Sequence, residues 1–297
     1  MLEGALDKMT VRSGDGAFPH VARYRLAAGP PGGAADRFLD LAGAVGGGLL
    51  IEYLGRVSCS HCGSDTPKSY GGGYCYRCFT TLARCDLCVV SPDRCHFAAG
   101  TCREPAWGEA HCMRPHLVYL ANSSGPKVGI TTRGGELTRW LDQGATQGLV
   151  VAEAATRHLA GVTEATLARL ISDRTDWRAL LREDAAPVDL PALRDGLRPR
   201  IGTLPEGVSW RDDGRVETLA FPVEAYPARL ERLTLERHPR VAGRLVGIKG
   251  QYLLFEHGVL NVRRHRGYHV RAILTDEPLA PEPAPADTDD SQMELFS

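Results

Sequence analysis

Lysine is scarce in this chain: only Lys8, Lys68, Lys127 and Lys249 stand among the 35 basic residues. The remaining cations are arginines, whose planar forks suit phosphate recognition, although genome base composition accounts for the excess more simply. Outside residues 59–112 there is no cysteine at all. No apolar run approaches the ~20 residues needed to cross a bilayer, and the N-terminus lacks a basic segment followed by an apolar core and cleavage site. The expected compartment is therefore the cytoplasm, where a disulfide framework does not persist. No internal repeat is evident. Neither acid nor base dominates: the net charge is −1, with 43% hydrophobic residues over 297 positions. That is an ordinary soluble composition, long enough for two or three cores.

All nine cysteines fall between Cys59 and Cys112, and an odd number is a further argument against complete disulfide pairing. Six form Cys-x₂-Cys pairs: Cys59/Cys62, Cys75/Cys78 and Cys85/Cys88. Such a turn converges two thiolates on one ion, and a second turn about a dozen residues later completes a tetrahedron. Cys59, Cys62, Cys75 and Cys78 meet that spacing, with Gly71, Gly72 and Gly73 to reverse a hairpin tip, as in a zinc ribbon. For a second site, Cys85 and Cys88 supply two ligands. Cys102 and Cys112 are chosen to complete it, since structural sites favour thiolates. Cys95 is the natural alternative, and His96, His111 and His116 also remain open. Two structural Zn²⁺ ions are expected, with no open coordination position for a substrate.

The sequence patterning predicts an α+β protein. A short helix is expected around Arg37–Leu41 and a strand over Leu49–Leu54. Leu117–Ala121 and Lys127–Thr131 form a hairpin around the turn residues Asn122–Pro126. Leu137, Trp140 and Leu141 follow at helical spacing, then a strand Gly148–Ala152. A helix opened by Thr163 carries Leu167, Leu170 and Ile171 on one face. Ala185–Pro199 reads as a proline-rich linker. Beyond it, Leu245–Gly250, Gln251–Glu256, Val259–Arg263 and Tyr268–Leu274 are short apolar runs suited to a small barrel or curled sheet. The organisation expected is an N-terminal β-containing segment (1–58), a double zinc module (59–115), an α/β unit (116–184), a β-rich basic domain (200–276) and a disordered tail (278–297), whose proline, alanine and acid content cannot form a core.

From Arg237 to Arg271, eight residues are basic against the single acid Glu256. Lys249, Arg263, Arg264 and Arg266, beside Tyr252 and Tyr268, are the candidates for a nucleic-acid backbone with stacking bases. The alternative is a solvated strand face.

The hairpin-plus-helix segment, Leu117 to about Trp177, resembles the GIY-YIG nuclease family. Its signature strands correspond to Leu117-Val118-Tyr119 and Lys127-Val128-Gly129, its arginine to Arg139 and its metal-binding glutamate to Glu164. The resemblance implies a catalytic set of Tyr119, Lys127, Arg139 and Glu164. In it Glu164 holds Mg²⁺ on the scissile phosphate, Tyr119 helps take a proton from water and Arg139 offsets charge on the phosphorane. Two departures stand out: Lys127 replaces the second signature tyrosine, and the first strand lacks its glycine. With Gly71-Gly-Gly-Tyr-Cys-Tyr and Gly247-Ile-Lys-Gly-Gln-Tyr, the whole chain resembles a bacterial zinc-ribbon family classed as a domain of unknown function.

At the end of the tail, Gln292-Met-Glu-Leu-Phe296 resembles the bacterial sliding-clamp-binding motif, with Gln292, Leu295 and Phe296 as the contacts that the resemblance implies. Two functions follow. One is a metal-dependent DNA endonuclease or repair-associated factor, with DNA favoured over RNA. The other is a non-catalytic, zinc-stabilised DNA- or RNA-binding protein on a degenerate nuclease scaffold.

Overall fold

A computed structural model describes residues 1–14, 18–277 and 279–280. The architecture is α+β: a mixed sheet of fifteen strands with helices packed on it. From one edge the path runs through Arg232–Leu233, Gly258–Asn261, Tyr252–Phe255, Arg240–Lys249, Gly48–Val57 and Tyr268–Thr275. It continues through Leu2–Leu6, His20–Gly29, Glu217–Ala220, Gln147–Ala154 and His116–Asn122 to Pro126–Thr132. Strands Thr10–Ser13 and Arg37–Asp40 flank His20–Gly29, and Val208–Trp210 flanks Gln147–Ala154.

Two of the expected C-terminal strands sandwich an N-terminal one: Gly48–Val57 lies between Arg240–Lys249 and Tyr268–Thr275, antiparallel to both. Leu2–Leu6 in turn bonds to Tyr268–Thr275. The segments 1–58 and 200–276 thus share one sheet, with Leu6, Tyr24, Leu26, Leu49, Ile51 and Val270 in the core packed on it. Each is at most 2% exposed, and burial of this kind is the main favourable term stabilising the sheet.

The hairpin forms as expected, with Tyr119 opposite Gly129 and Leu120 opposite Val128. Every residue of His116–Asn122 is buried because both faces are covered. Val118 and Leu120 pack under helices Arg157–Leu167 and Leu190–Ile201. Tyr119 and Ala121 join the cluster containing Trp140 and Leu141, from helix Glu136–Asp142.

Three local expectations are corrected. Arg37–Asp40 is a strand rather than a helix, since its backbone pairs with His20–Gly29. The stretch expected as linker contains helix Leu190–Ile201, capped by Asp189, whose carboxylate accepts from the Ala192 amide at 2.9 Å. Its Pro191 falls in the first turn, where no intrahelical donor is lost. The helix bearing Glu164 opens earlier, at Arg157 with Thr156 as N-cap, so Glu164 stands beyond the first turn. Among the described residues, no helix is long and apolar enough to cross a membrane.

Candidate metal centre and candidate surface cations

The first four cysteines meet as their spacing requires. The Cys59 turn closes through Gly63 N–H to Cys59 O at 2.9 Å and Cys59 N–H to Ser64 O at 2.8 Å. Opposite it, Gly71, Gly72 and Gly73 all take positive φ (50°, 80° and 122°) between the bridged residues Tyr70 and Tyr74, a path that side-chain-bearing residues resist. Cys75 then caps helix Tyr76–Thr81, its sulfur accepting from the Cys78 amide at 3.5 Å. The four sulfurs lie within 4.8 Å of one another, and Cys62 Sγ is 3.8 Å from Cys75 Sγ. A tetrahedron with Zn–S bonds of about 2.3 Å has edges of about 3.8 Å, so the donors fit Zn²⁺. Ser64 lowers the Cys62 thiol to about 6 by hydrogen bonding, whereas burial and neighbouring thiols raise Cys78. Four protein ligands make a closed, structural site.

The second expected set does not gather as a whole. Cys85 packs with Cys59 and Cys78 in the small cluster around the first centre. Cys88 instead gathers with Asp86 and His96, one donor atom from each lying within 4.8 Å of the others. All nine cysteines are free thiols. Of the open candidates, His111 Nδ1 faces Trp107 O at 2.8 Å and His116 Nδ1 faces Arg114 O at 2.8 Å.

Of the four residues assigned to the nuclease-like site, Tyr119 and Arg139 meet through Gln143, and Lys127 and Glu164 are within electrostatic reach of Arg139. With the Gln143 amide oriented to satisfy its neighbours, its oxygen accepts from Arg139 Nε at 3.0 Å, Arg139 Nη2 at 3.2 Å and the Tyr119 hydroxyl at 3.1 Å. Burial raises the Tyr119 hydroxyl's pKa, with Arg139 acting against it. Burial likewise lifts Glu164 to about 7, with Arg139 and Lys127 opposing and Asp173 reinforcing the shift. Lys127 is lowered by burial and by Arg139. The site is closely covered, however: Tyr119 is 0% exposed and Lys127 7%. The ring of Tyr119 lies over Gly129, where even a Cβ would come within 2.4 Å of its oxygen. The segment after the second helix also covers the edge strand, with Val128 N–H donating to Ser172 O at 2.9 Å and Lys127 Nζ to Thr175 Oγ1 at 3.2 Å. These residues do not fit a Mg²⁺ centre. Among the described residues, Glu164 joins no group of three or more side-chain donors that could hold an ion, and Arg139, Lys127 and Arg157 already act on its charge.

Lys249 is corrected as a nucleic-acid contact. It is 0% exposed, and its ammonium donates to Asp184 Oδ1 at 2.7 Å, Tyr226 Oη at 2.9 Å and Glu183 O at 3.3 Å. Arg266 is half-buried and pairs with Asp7 at 2.7 Å. Tyr252 stacks on Trp177, and Tyr268 is buried with its hydroxyl donating to Glu236, so neither ring is offered to a base. Arg263 and Arg264 remain exposed on the turn Arg263–His265, although partial burial of the Arg263 guanidinium lowers its pKa, with Arg139 and Arg266 adding to the shift and Asp142 opposing it. Sequence alone places Arg139 and Arg263 in different units; the fold makes them neighbours.

A cleft of about 490 Å³, not foreseen, opens beside helix Glu136–Asp142 over Leu117, Leu137 and Val150. Two of its three arginines are held in ion pairs: Arg133 pairs with Glu153 at 3.2 Å, and Arg211 pairs with Glu153 at 2.7 Å and Asp213 at 2.8 Å, while Arg215 lies over the Phe18 ring at 5.1 Å. Gln292, Leu295 and Phe296 lie outside the described residues.

Comparison with curated proteins and with solved structures finds no match for the chain. A family model does match, spanning residues 46–270 and so taking in the metal centre, the hairpin unit and most of the C-terminal strands. The chain belongs to the family described as "protein of unknown function (DUF2797)".

Proposed function

We propose that this chain is a zinc-stabilised nucleic-acid-binding protein, favouring DNA over RNA, in which the GIY-YIG-like unit serves as scaffold. The observation that carries this reading is the enclosure of Tyr119. A phenol that takes a proton from an attacking water must reach that water, and here the ring is wholly covered and its hydroxyl bonded to Gln143. Of the candidate cations, Arg263 and Arg264 stay exposed and suit phosphate contact. Zn²⁺ acts by fixing the fold of the ribbon and supplies no chemistry to a substrate.

The placement of Tyr119, Lys127 and Glu164 within electrostatic reach of Arg139 favours one second reading, a metal-dependent endonuclease. The two separate in one experiment: purified protein is incubated with branched, nicked and single-stranded DNA and RNA, with and without Mg²⁺. Binding without product is expected, and Glu164→Ala should leave binding within about twofold, because it removes no surface cation. Product that appears with Mg²⁺, rises with pH through about 7 as Glu164 ionises and vanishes in Glu164→Ala would establish the endonuclease instead.

The clamp-like tail adds a proposed partner. A peptide of the last dozen residues should bind a bacterial sliding clamp at roughly micromolar Kd, and Leu295→Ala with Phe296→Ala should abolish it, since these side chains supply most of the apolar contact. Fluorescence anisotropy with labelled peptide measures this directly. No binding at high micromolar clamp would remove the partner while leaving the nucleic-acid reading untouched.

A further inference from the structure

Residues 86–112 form a lobe whose apolar interior is limited to the half-buried rings of Phe97 and Trp107. Its regular structure is limited to helix Leu87–Val90, the turn Pro92–Arg94 and helix Pro105–Cys112. None of the buried hydrophobic clusters among the described residues draws a member from it, and Leu87 and Val90 face solvent at 53% and 78% exposure. A segment of that size with so little core needs a covalent or metal staple to hold one conformation.

The interior of the lobe also holds thiols. Cys88, Cys95, Cys102 and Cys112 line one small cavity, together with Asp86, His96, Phe97 and Trp107. They come from four separate stretches of chain. The helix carrying Cys112 places Gly108 one turn earlier on the same face, and Cys102 Sγ lies 3.1 Å from where a Gly108 Cβ would stand. The missing side chain is what lets the loop thiol approach. Cys95 and Cys112 both act electrostatically on Cys88, and Cys95 and Cys102 on Cys112, while the four sulfurs stand around the cavity more widely than the 4.8 Å that groups Cys88 with Asp86 and His96, so a bound ion has to draw them in.

The other two donors already have partners. Asp86 accepts from the Leu87 amide at 2.6 Å through Oδ1, and through Oδ2 it meets Arg103 Nε at 2.9 Å and His96 Nε2 at 3.3 Å. His96 Nδ1 faces Thr101 Oγ1 at 2.8 Å. Arg157, from the helix on which the lobe rests, donates to Cys88 O at 2.7 Å and Val89 O at 2.6 Å. A tetrathiolate zinc centre carries a net charge of about −2, and a guanidinium held against it offsets that charge.

We infer that Cys88, Cys95, Cys102 and Cys112 hold a second tetrahedral Zn²⁺, with Asp86 and His96 as an outer hydrogen-bonded pair and Cys85 outside both centres. The four thiols give up their protons to solvent as the ion binds. The ion then does for this lobe what apolar packing does elsewhere, and it fixes the carbonyls on which Arg157 docks.

Elemental analysis of full-length protein purified without added metal should give two zinc ions per chain for the wild type. Cys85→Ser should keep both, and Cys95→Ser should keep one. Zinc-edge X-ray absorption on the wild type provides a readout that does not depend on a variant folding. It should show sulfur alone, at about 2.3 Å, around the average ion. A nitrogen shell at about 2.0 Å, or loss of a zinc in Cys85→Ser with retention in Cys95→Ser, would overturn the assignment, as would a wild-type stoichiometry of one.

Discussion

Cys59→Ser is expected to release the zinc of the first centre and unfold the ribbon around it. Cys59 is 0% exposed, and the hydrophobic cluster it belongs to is small, with Tyr74 and Leu82 its only other buried members besides Cys78. Apolar packing on that scale contributes a few kcal/mol at most, whereas four-ligand zinc sites bind with apparent free energies of about 10–16 kcal/mol, nearly all of it folding energy. A serine hydroxyl is a poor replacement for a thiolate and leaves three ligands. The measurable outcomes are one fewer zinc per chain and new protease cleavage between Val57 and Leu82. Far-UV circular dichroism and the melt of the remaining body should change little, because strands Gly48–Val57 and Tyr268–Thr275 pair along their length without the ribbon. Wild-type zinc content in the variant would rule out the first centre as described.

What could be read in advance divides along contact distance. The Cys59–Cys78 centre and the hairpin at Asn122–Pro126 are local: their ligands or strands lie within about two dozen residues, so spacing and turn chemistry specify them. Arg37–Asp40 forms a strand only because His20–Gly29 offers it an edge, and nothing within its own four residues requires that. Helix Leu190–Ile201 was obscured by Pro191 and Pro199, although the first sits where helices tolerate proline and the second near the C-terminus. At the candidate site, Tyr119, Lys127, Arg139 and Glu164 were found together through a family resemblance rather than by pattern. The cover over Tyr119 and Lys127 depends on Gly129, Ser172 and Thr175, which carry no signal of their own. Lys249 looked like one more surface cation within a basic run. Its partners Asp184 and Tyr226 lie 65 and 23 residues away, and sequence proximity to Arg263 and Arg264 said nothing about which side of the sheet it faces.

That division determines which cations ought to matter for binding. Reversing Arg263 and Arg264 to Glu should weaken binding to a single-stranded oligonucleotide by more than tenfold at about 0.1 M salt, because two favourable phosphate contacts become two repulsive ones. Each phosphate contact on a single strand contributes about 0.7 to the slope of log K against log salt, so that slope should flatten by roughly 1.4. The fold should tolerate the change. Both side chains are exposed, and the turn beneath them is held by Asn261, which accepts from the Arg264 amide at 3.1 Å through its side chain. His265, wholly buried, adds a contact from Nδ1 to Asn261 O at 2.8 Å. Stability should therefore stay within about 0.5 kcal/mol of wild type. Lys249→Met gives the opposite profile: it removes the three hydrogen bonds of a buried ammonium, so the melting temperature should fall while affinity per folded molecule is unchanged. Anisotropy titrations over a range of salt, paired with thermal melts, distinguish the two variants. If the arginine pair were reversed with no loss of affinity, the surface beside Arg139 would not be the one that meets phosphate.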